Sequence, residues 1–138
     1  MNDEQKYDYN LSKSAMKNAY DPYSNFKVSA ILTTKNGKKY SGVNIANQGI
    51  QSICAERVAF AKAISEGEKE FSKIMIIGGK NEYSLIECLP CGYCRQFMSE
   101  FVDNNFIIET VNNDDVKQYK IDQLLPYGFK LWLILLYL

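Results

Sequence analysis

Ile74-Met75-Ile76-Ile77, closed by Gly78-Gly79, is four apolar residues in a row with no polar residue between them. A strand with one wet face alternates in polarity, whereas a short strand that is apolar throughout is covered on both faces. This segment therefore predicts a sheet with helices on two sides, and the flanking sequence supplies the other elements. Upstream, Phe26, Val28, Ala30 and Leu32 alternate with Lys27, Ser29 and Ile31, Asn36-Gly37 is a two-residue turn signal, and Lys39 to Asn44 reads as the return strand of a hairpin. Leu11, Ala15, Met16 and Ala19 recur at helical spacing and predict a helix over 4–18 that ends before Asp21-Pro22. Residues 54–66 are rich in alanine, with Val58 and Ile64 among the apolar positions, and Gly67 supplies the stop of a largely buried helix. Downstream, a helix is expected from Cys91 to Phe101 and a strand from Phe106 to Val111. The order helix, hairpin, helix, strand, helix, strand predicts an α/β fold, a three-layer α/β/α sandwich around a mixed sheet. No repeat, linker or low-complexity run divides the 138 residues, so a single domain over 1–138 is expected, burying roughly 70% of its unfolded surface.

Composition narrows the function before any motif does. Lysine plus arginine, 16, equals aspartate plus glutamate, 16, so there is no net positive field to hold a polyanion, and nucleic acid is not expected as a partner. Met1-Asn2-Asp3-Glu4 is polar and acidic with no apolar run behind it, so no signal peptide is expected and the compartment is expected to be cytoplasmic. The four cysteines are then thiols or metal ligands rather than disulfides. Leu131-Trp132-Leu133-Ile134-Leu135-Leu136-Tyr137-Leu138 is apolar but far shorter than the roughly 20 residues that span a bilayer. No membrane association is expected from it, and if exposed it would promote association between chains.

The cysteines form a pattern, in a chain without histidine. Cys91-Gly92-Tyr93-Cys94 follows Pro90 and precedes Arg95-Gln96, and Cys54 stands before Ala55-Glu56-Arg57. Pro90 disfavours helix at Leu89, so a helix begins just after it and carries Cys91 and Cys94 at i and i+3 on one face. Cys54 likewise opens a helix. Two helix N-termini then converge on the sulfurs, where their partial positive charge favours thiolates. Three protein ligands leave the fourth tetrahedral position of a zinc ion to water, the arrangement of a catalytic site. Three thiolates on a divalent ion also leave a net negative charge that makes a bound water less acidic. Arg57 and Arg95 are expected to donate to the sulfurs and withdraw some of that charge, the alternative being that both are surface arginines. Glu56 is expected to move protons beside the metal, the alternative being a carboxylate that favours a helix N-terminus. Cys88 keeps another alternative open, because with Cys54, Cys91 and Cys94 it could close a four-cysteine structural site. Its place on the extended approach before Leu89-Pro90 turns it elsewhere.

Cys54-Ala55-Glu56-Arg57 and Pro90-Cys91-Gly92-Tyr93-Cys94-Arg95-Gln96, after Phe26-Lys27-Val28-Ser29-Ala30 and Gly42-Val43-Asn44, resemble the small homotetrameric zinc-dependent cytidine deaminases over nearly the whole chain. The resemblance implies a cytidine-deaminase-like fold, a Zn2+ cofactor held by Cys54, Cys91 and Cys94, and hydrolysis of cytidine and deoxycytidine to uridine and deoxyuridine with release of ammonia, a step of pyrimidine salvage. It implies that water activated by zinc attacks C4 of cytosine while Glu56 carries protons to N3 and to the departing ammonia, as zinc deaminases do as a class. It further implies that Phe26 flanks the pyrimidine, that Asn44 contacts a ribose hydroxyl, and that Ala55 is a substrate contact. Phe129, in Leu124-Leu125-Pro126-Tyr127-Gly128-Phe129, would reach the site of a neighbouring subunit, which puts the active sites of a homotetramer at subunit interfaces. From the residues alone, Phe26 and Phe129 read equally well as core aromatics.

Two departures from the family pattern concern the sugar. Asn44-Ile45-Ala46-Asn47 stands where the family usually reads Asn-x-Glu-Asn, so a carboxylate that shares the ribose hydroxyl is replaced by alanine. A charge-assisted hydrogen bond of that kind is worth about 1.5–3 kcal/mol. Gln48-Gly49-Ile50-Gln51-Ser52-Ile53 is shorter than the common form and lacks its tyrosine. A blasticidin-S-type aminoacyl-nucleoside deaminase is the alternative substrate reading, and a non-enzymatic structural zinc module is the alternative of a different kind.

Overall fold

Lys27–Thr34 (β1) and Lys39–Val43 (β2) form the hairpin turned by Asn36-Gly37, where Gly37 adopts φ +90°, a conformation that side chains avoid. These elements belong to a computed structural model that describes residues 1–48 and 50–138, with the backbone alone of Leu133. The apolar segment is the middle of Phe71–Gly79 (β3), which lies antiparallel to β1 and extends the predicted strand in both directions. Ile107–Asn112 (β5) runs parallel to β3, and Asp115–Tyr119 (β6) lies antiparallel to β5. The order is β2-β1-β3-β5-β6, and Leu85–Ile86 (β4) pairs with the last residues of β3, beyond the reach of β5. The sheet is mixed, as the sequence predicts.

Asp3–Met16 (α1) covers one face of the sheet, with Met16 packed on Met75, Ile77 and Val111. Ala55–Ser65 (α2) and Gly92–Ser99 (α3) cover the other, where Phe60 meets Phe71, Phe97, Phe101 and Phe106 and the aliphatic residues of β1, β3 and β5 fill in around them. That is the three-layer sandwich. Two short helices, Ile121–Leu124 (α4) and Leu131–Leu135 (α5), complete the described chain.

Helix α1 departs from its apolar periodicity. Its buried residues are Asp8, Ser12 and Met16, not Leu11 and Ala15. Ser12 shares a hydrogen bond of 3.1 Å with Ser29 on β1, and Asp8 lies 2.9 Å from Lys39 Nζ and 3.1 Å from Lys73 Nζ, as ion pairs rather than aligned hydrogen bonds. A buried charge needs such partners, and the sheet supplies lysines from two strands.

Helix α2 is placed by small residues. A Cβ on Gly42 of β2 would lie 2.3 Å from the carbonyl oxygen of Ala55 and 2.5 Å from the nitrogen of Ala59. Only glycine lets the helix lie this close to the hairpin, and this contact sets the position of Cys54 and Glu56.

Candidate active site

Cys54 is the N-cap residue of α2 and Cys91 that of α3, and both have extended backbones. The Cys91 sulfur accepts the backbone N–H of Cys94 at 3.5 Å, so it already caps its own helix. The sulfurs of Cys54, Cys91 and Cys94 all lie within 4.8 Å of one another, with Cys54 and Cys91 at 3.7 Å. A tetrahedral zinc ion with bonds of about 2.3 Å spaces its sulfurs by about 3.8 Å, so the cradle fits that ion with little adjustment. Cys94 is buried, Cys54 half-buried and Cys91 exposed, which leaves one side open. Among the described residues Cys88 is not part of this group. Its side chain packs instead against Gly78, where a Cβ would come within 2.8 Å of its sulfur.

The two arginines separate. Arg57 places Nη2 3.8 Å from the Cys54 sulfur and 3.4 Å from the Ser52 carbonyl oxygen, and its guanidinium lies 4.2 Å from the centre of the Tyr93 ring. Arg95 does not follow the expectation of a donor to sulfur: its Nε donates to Pro90 O at 2.7 Å and its Nη1 to Leu124 O at 2.8 Å. It braces the main chain of the metal loop against the end of α4. A guanidinium is a fixed fork, and two carbonyls that match the fork take its donors away from the sulfurs.

The cradle opens into a cleft of about 820 Å³. Cys54, Ala55, Glu56 and Cys91 line its metal end, residues 44–48 line the wall that follows β2, and Tyr23, Ser24, Val28, Ser52, Ile53, Cys88 and Leu89 complete it. Asn44 lines the wall with its amide tied to β1 and the residue before it: Oδ1 accepts from Val28 N at 2.8 Å and Nδ2 donates to Phe26 O at 2.9 Å. Ala55 and Ala46 both face the cleft. Phe26 stands outside the lining, with its ring beside Gly78 behind Cys88. Phe129 is 56% exposed and is not among the residues lining the cleft of its own chain, and its carbonyl accepts from Gln96 Nε2 at 3.0 Å. Of the shortened segment, Gly49 lies outside the described residues; Ser52 and Ile53 line the cleft.

Residues 2–110 match a family described as the cytidine and deoxycytidylate deaminase zinc-binding region. The chain belongs to this deaminase family. A cytidine deaminase of Sporosarcina psychrophila is 36% identical over 120 residues, 86% of this chain and 85% of that one. A blasticidin-S deaminase of Bacillus cereus is 33% identical over 107 residues, 74% and 76% of the two chains. The crystal structure of cytidine deaminase from Burkholderia pseudomallei superposes with a TM-score of 0.80 at 34% identity, covering 90% of this chain and 98% of that one. The cofactor of the family is zinc, and the three-sulfur cradle suits it.

Deaminase chemistry needs a proton carrier near neutrality and a ligand that ionises readily. Glu56 is 4% exposed in the first turn of α2, and burial, reinforced by the nearby Cys54 thiolate, pushes its carboxyl up to about 7. Hydrogen bonds from Cys94, against the cost of burial, and from Arg57 and Cys91 hold Cys54 down at about 5, and Cys94 is pushed up as the donor to it. Burial, then the charges of Glu56 and Cys54, raise the Cys88 thiol to about 12, and it lies outside the three-sulfur group. Sequence reasoning passed over Tyr23, Ser24, Val28 and Leu89 as cleft residues. Their one signal is position, next to the Asp21-Pro22 turn, on β1 beside Phe26, or next to Pro90.

Proposed function

We propose that this chain deaminates cytidine and deoxycytidine hydrolytically, forming uridine or deoxyuridine and ammonia. The observation that carries the reading is a buried carboxylate, Glu56, that lines the same cleft as Cys54 and Cys91, two of three convergent cysteine sulfurs. Cys54, Cys91 and Cys94 hold the zinc, whose Lewis acidity, once bound, makes water a nucleophile near neutral pH. Arg57 offsets the charge of the thiolates through Cys54. Glu56 accepts a proton from the attacking water and delivers it to N3 of the ring. As the bond between C4 and the amino group breaks, Glu56 carries the remaining hydroxyl proton to the amine, which leaves as ammonia. One water is consumed, and the glutamate ends as it began. A side chain titrating near 7 suits both transfers.

Asn44 and Ala55 line the path of the nucleoside, and the Phe26 carbonyl anchors Asn44 from behind. The exposed Phe129, with Tyr127 and the apolar face of α5, supports a homotetramer in which Phe129 approaches a neighbour's cleft. A single cytoplasmic domain serving pyrimidine salvage accords with this reading, and no described helix is long and apolar enough to cross a membrane. The relationship to a blasticidin-S deaminase, together with Ala46 in the cleft wall, favours one second substrate, blasticidin S. Ammonia release from the zinc-loaded protein with cytidine, deoxycytidine and blasticidin S, each alone, tests the proposal. Turnover of cytidine or deoxycytidine is expected, and turnover of blasticidin S alone would move the assignment to the second reading.

A further inference from the structure

We infer that the cleft accepts cytosine nucleosides whose sugar lacks the ribose hydroxyls almost as well as it accepts cytidine, because the wall facing the sugar is hydrogen-bonded to itself. The inference rests on the deaminase reading above and specifies its substrate class. With C4 beside Glu56 and the sulfurs, N1 lies across the ring and its sugar is carried away from the metal end; on the reading above, in which the nucleoside passes Asn44, it meets the wall that residues 44–48 line.

That wall has little left to offer a hydroxyl. The main-chain N–H groups of Asn44, Ile45, Ala46 and Asn47 donate to Val28 O at 3.2 Å, Ile53 O at 3.0 Å, Tyr20 O at 2.7 Å and Ser52 Oγ at 2.9 Å. Both ends of the Asn44 amide are held, by Val28 of β1 and by Phe26 just before it. Ile45 and Ala46 present apolar side chains, and the side chains of Asn47 and Gln48 are exposed to water. Among the described residues lining the cleft, Glu56 is the one carboxylate, and it stands at the metal end.

The energetic consequence follows from what an absent hydroxyl leaves behind. A site built to bond a substrate hydroxyl rejects the analogue without it by about 10⁴–10⁵, since its own buried polar groups are then unpaired. Here no donor or acceptor of the wall is orphaned, because the structure already pairs each one internally or leaves it to solvent. What remains is the spare lone pair and N–H of Asn44 and the water-exposed amides of Asn47 and Gln48, neutral groups whose hydrogen bonds to a hydroxyl are exchanged against water. Such a bond discriminates by about tenfold at most.

The test compares kcat/KM for cytidine and 2′,3′-dideoxycytidine on the zinc-loaded full chain, together with Kd for uridine and 2′,3′-dideoxyuridine. Both ratios are expected within about tenfold, and a larger loss in either pair overturns the inference. If neither cytosine nucleoside is deaminated, the deaminase reading fails, and the uridine pair still decides the sugar question; no measurable binding by either overturns it. Ala46→Glu adds to the wall a carboxylate without an internal partner. It is expected to steepen the preference for cytidine over the dideoxy analogue by tenfold or more, and an unchanged ratio would show that the neutrality of the wall is not the cause.

Discussion

Gly42→Ala perturbs the site from a position outside the lining of the cleft. The added Cβ would lie 2.3 Å from Ala55 O and 2.5 Å from Ala59 N, both main-chain atoms of α2, and neither can rotate away. Restoring an ordinary contact near 3.4 Å requires the helix to back off from the hairpin by about 1.1 Å, the difference between 3.4 and 2.3 Å. Overpacking of this kind costs about 1–3 kcal/mol. For a chain of 138 residues that corresponds to a fall in Tm of about 3–10 °C. The same displacement carries Cys54 away from Cys91 and Cys94, and metal distances tolerate only about 0.2 Å. Zinc affinity, measured by competition with a chelator, should therefore fall together with Tm measured by calorimetry on the metal-free protein. Gly92→Ala is the control, since a Cβ there meets nothing within 4 Å. A Gly42→Ala protein with the wild-type Tm and zinc affinity would refute the argument that this close approach sets the position of α2.

Cys88→Ser should keep one zinc per chain, while serine at Cys54, Cys91 or Cys94 should weaken zinc binding strongly; equal losses at all four in metal analysis would make the site a four-cysteine structural one. Tyr93→Ala removes the ring beneath Arg57, a contact worth about 0.5–1 kcal/mol, and should speed zinc loss to a chelator severalfold, with Tyr93→Phe close to wild type. Burial alone would raise the Glu109 carboxyl, but the ion pair with Lys73 and hydrogen bonds from Gln5 and Gln118 hold it below the ordinary value of 4.5. Its stabilisation is complete above that value and is lost as pH falls through its folded pKa. Unfolding of the metal-free protein should accordingly steepen below pH 4.5, and Glu109→Gln should lower stability at neutral pH and flatten that acid limb.

The parts of the fold legible in the sequence are those where local rules and tertiary packing agree. Ile74 to Ile77 is a doubly covered strand, Asn36-Gly37 turns a hairpin, and Pro90 and Gly67 bound α3 and α2 near the expected places. Strand β6 was not legible because it is an edge strand: Asp115, Lys117 and Gln118 are exposed, so no apolar alternation marks it, and only the polar turn at Asn113-Asp114 hints at a hairpin. Helix α1 was legible as a helix but not in its orientation, because its buried face is chosen by Lys39, Lys73 and Ser29, residues on strands remote in sequence. In the site, the spacing of the cysteines marked the cradle, since Cys54 and Cys91 cap their helices and Cys94 follows in the first turn of the helix that Cys91 opens. Arg95 could not be told from Arg57 by adjacency alone; the carbonyls that claim it, Pro90 and Leu124, are arranged by the fold. The self-paired wall at 44–47 depends on Tyr20, Phe26, Val28 and Ile53, and no local pattern announces such partners.

The central claim is that Glu56 moves the protons of a deamination at an open three-thiolate zinc site. Its most direct test is the rate of uridine formation from cytidine by wild-type and Glu56→Gln proteins of equal zinc content and matching circular dichroism. Turnover by the wild type and a loss of at least about a hundredfold in the variant are expected, in keeping with the worth of a positioned acid and base. Comparable rates in the two proteins, or no uridine from a wild-type protein holding one zinc per chain, would contradict it.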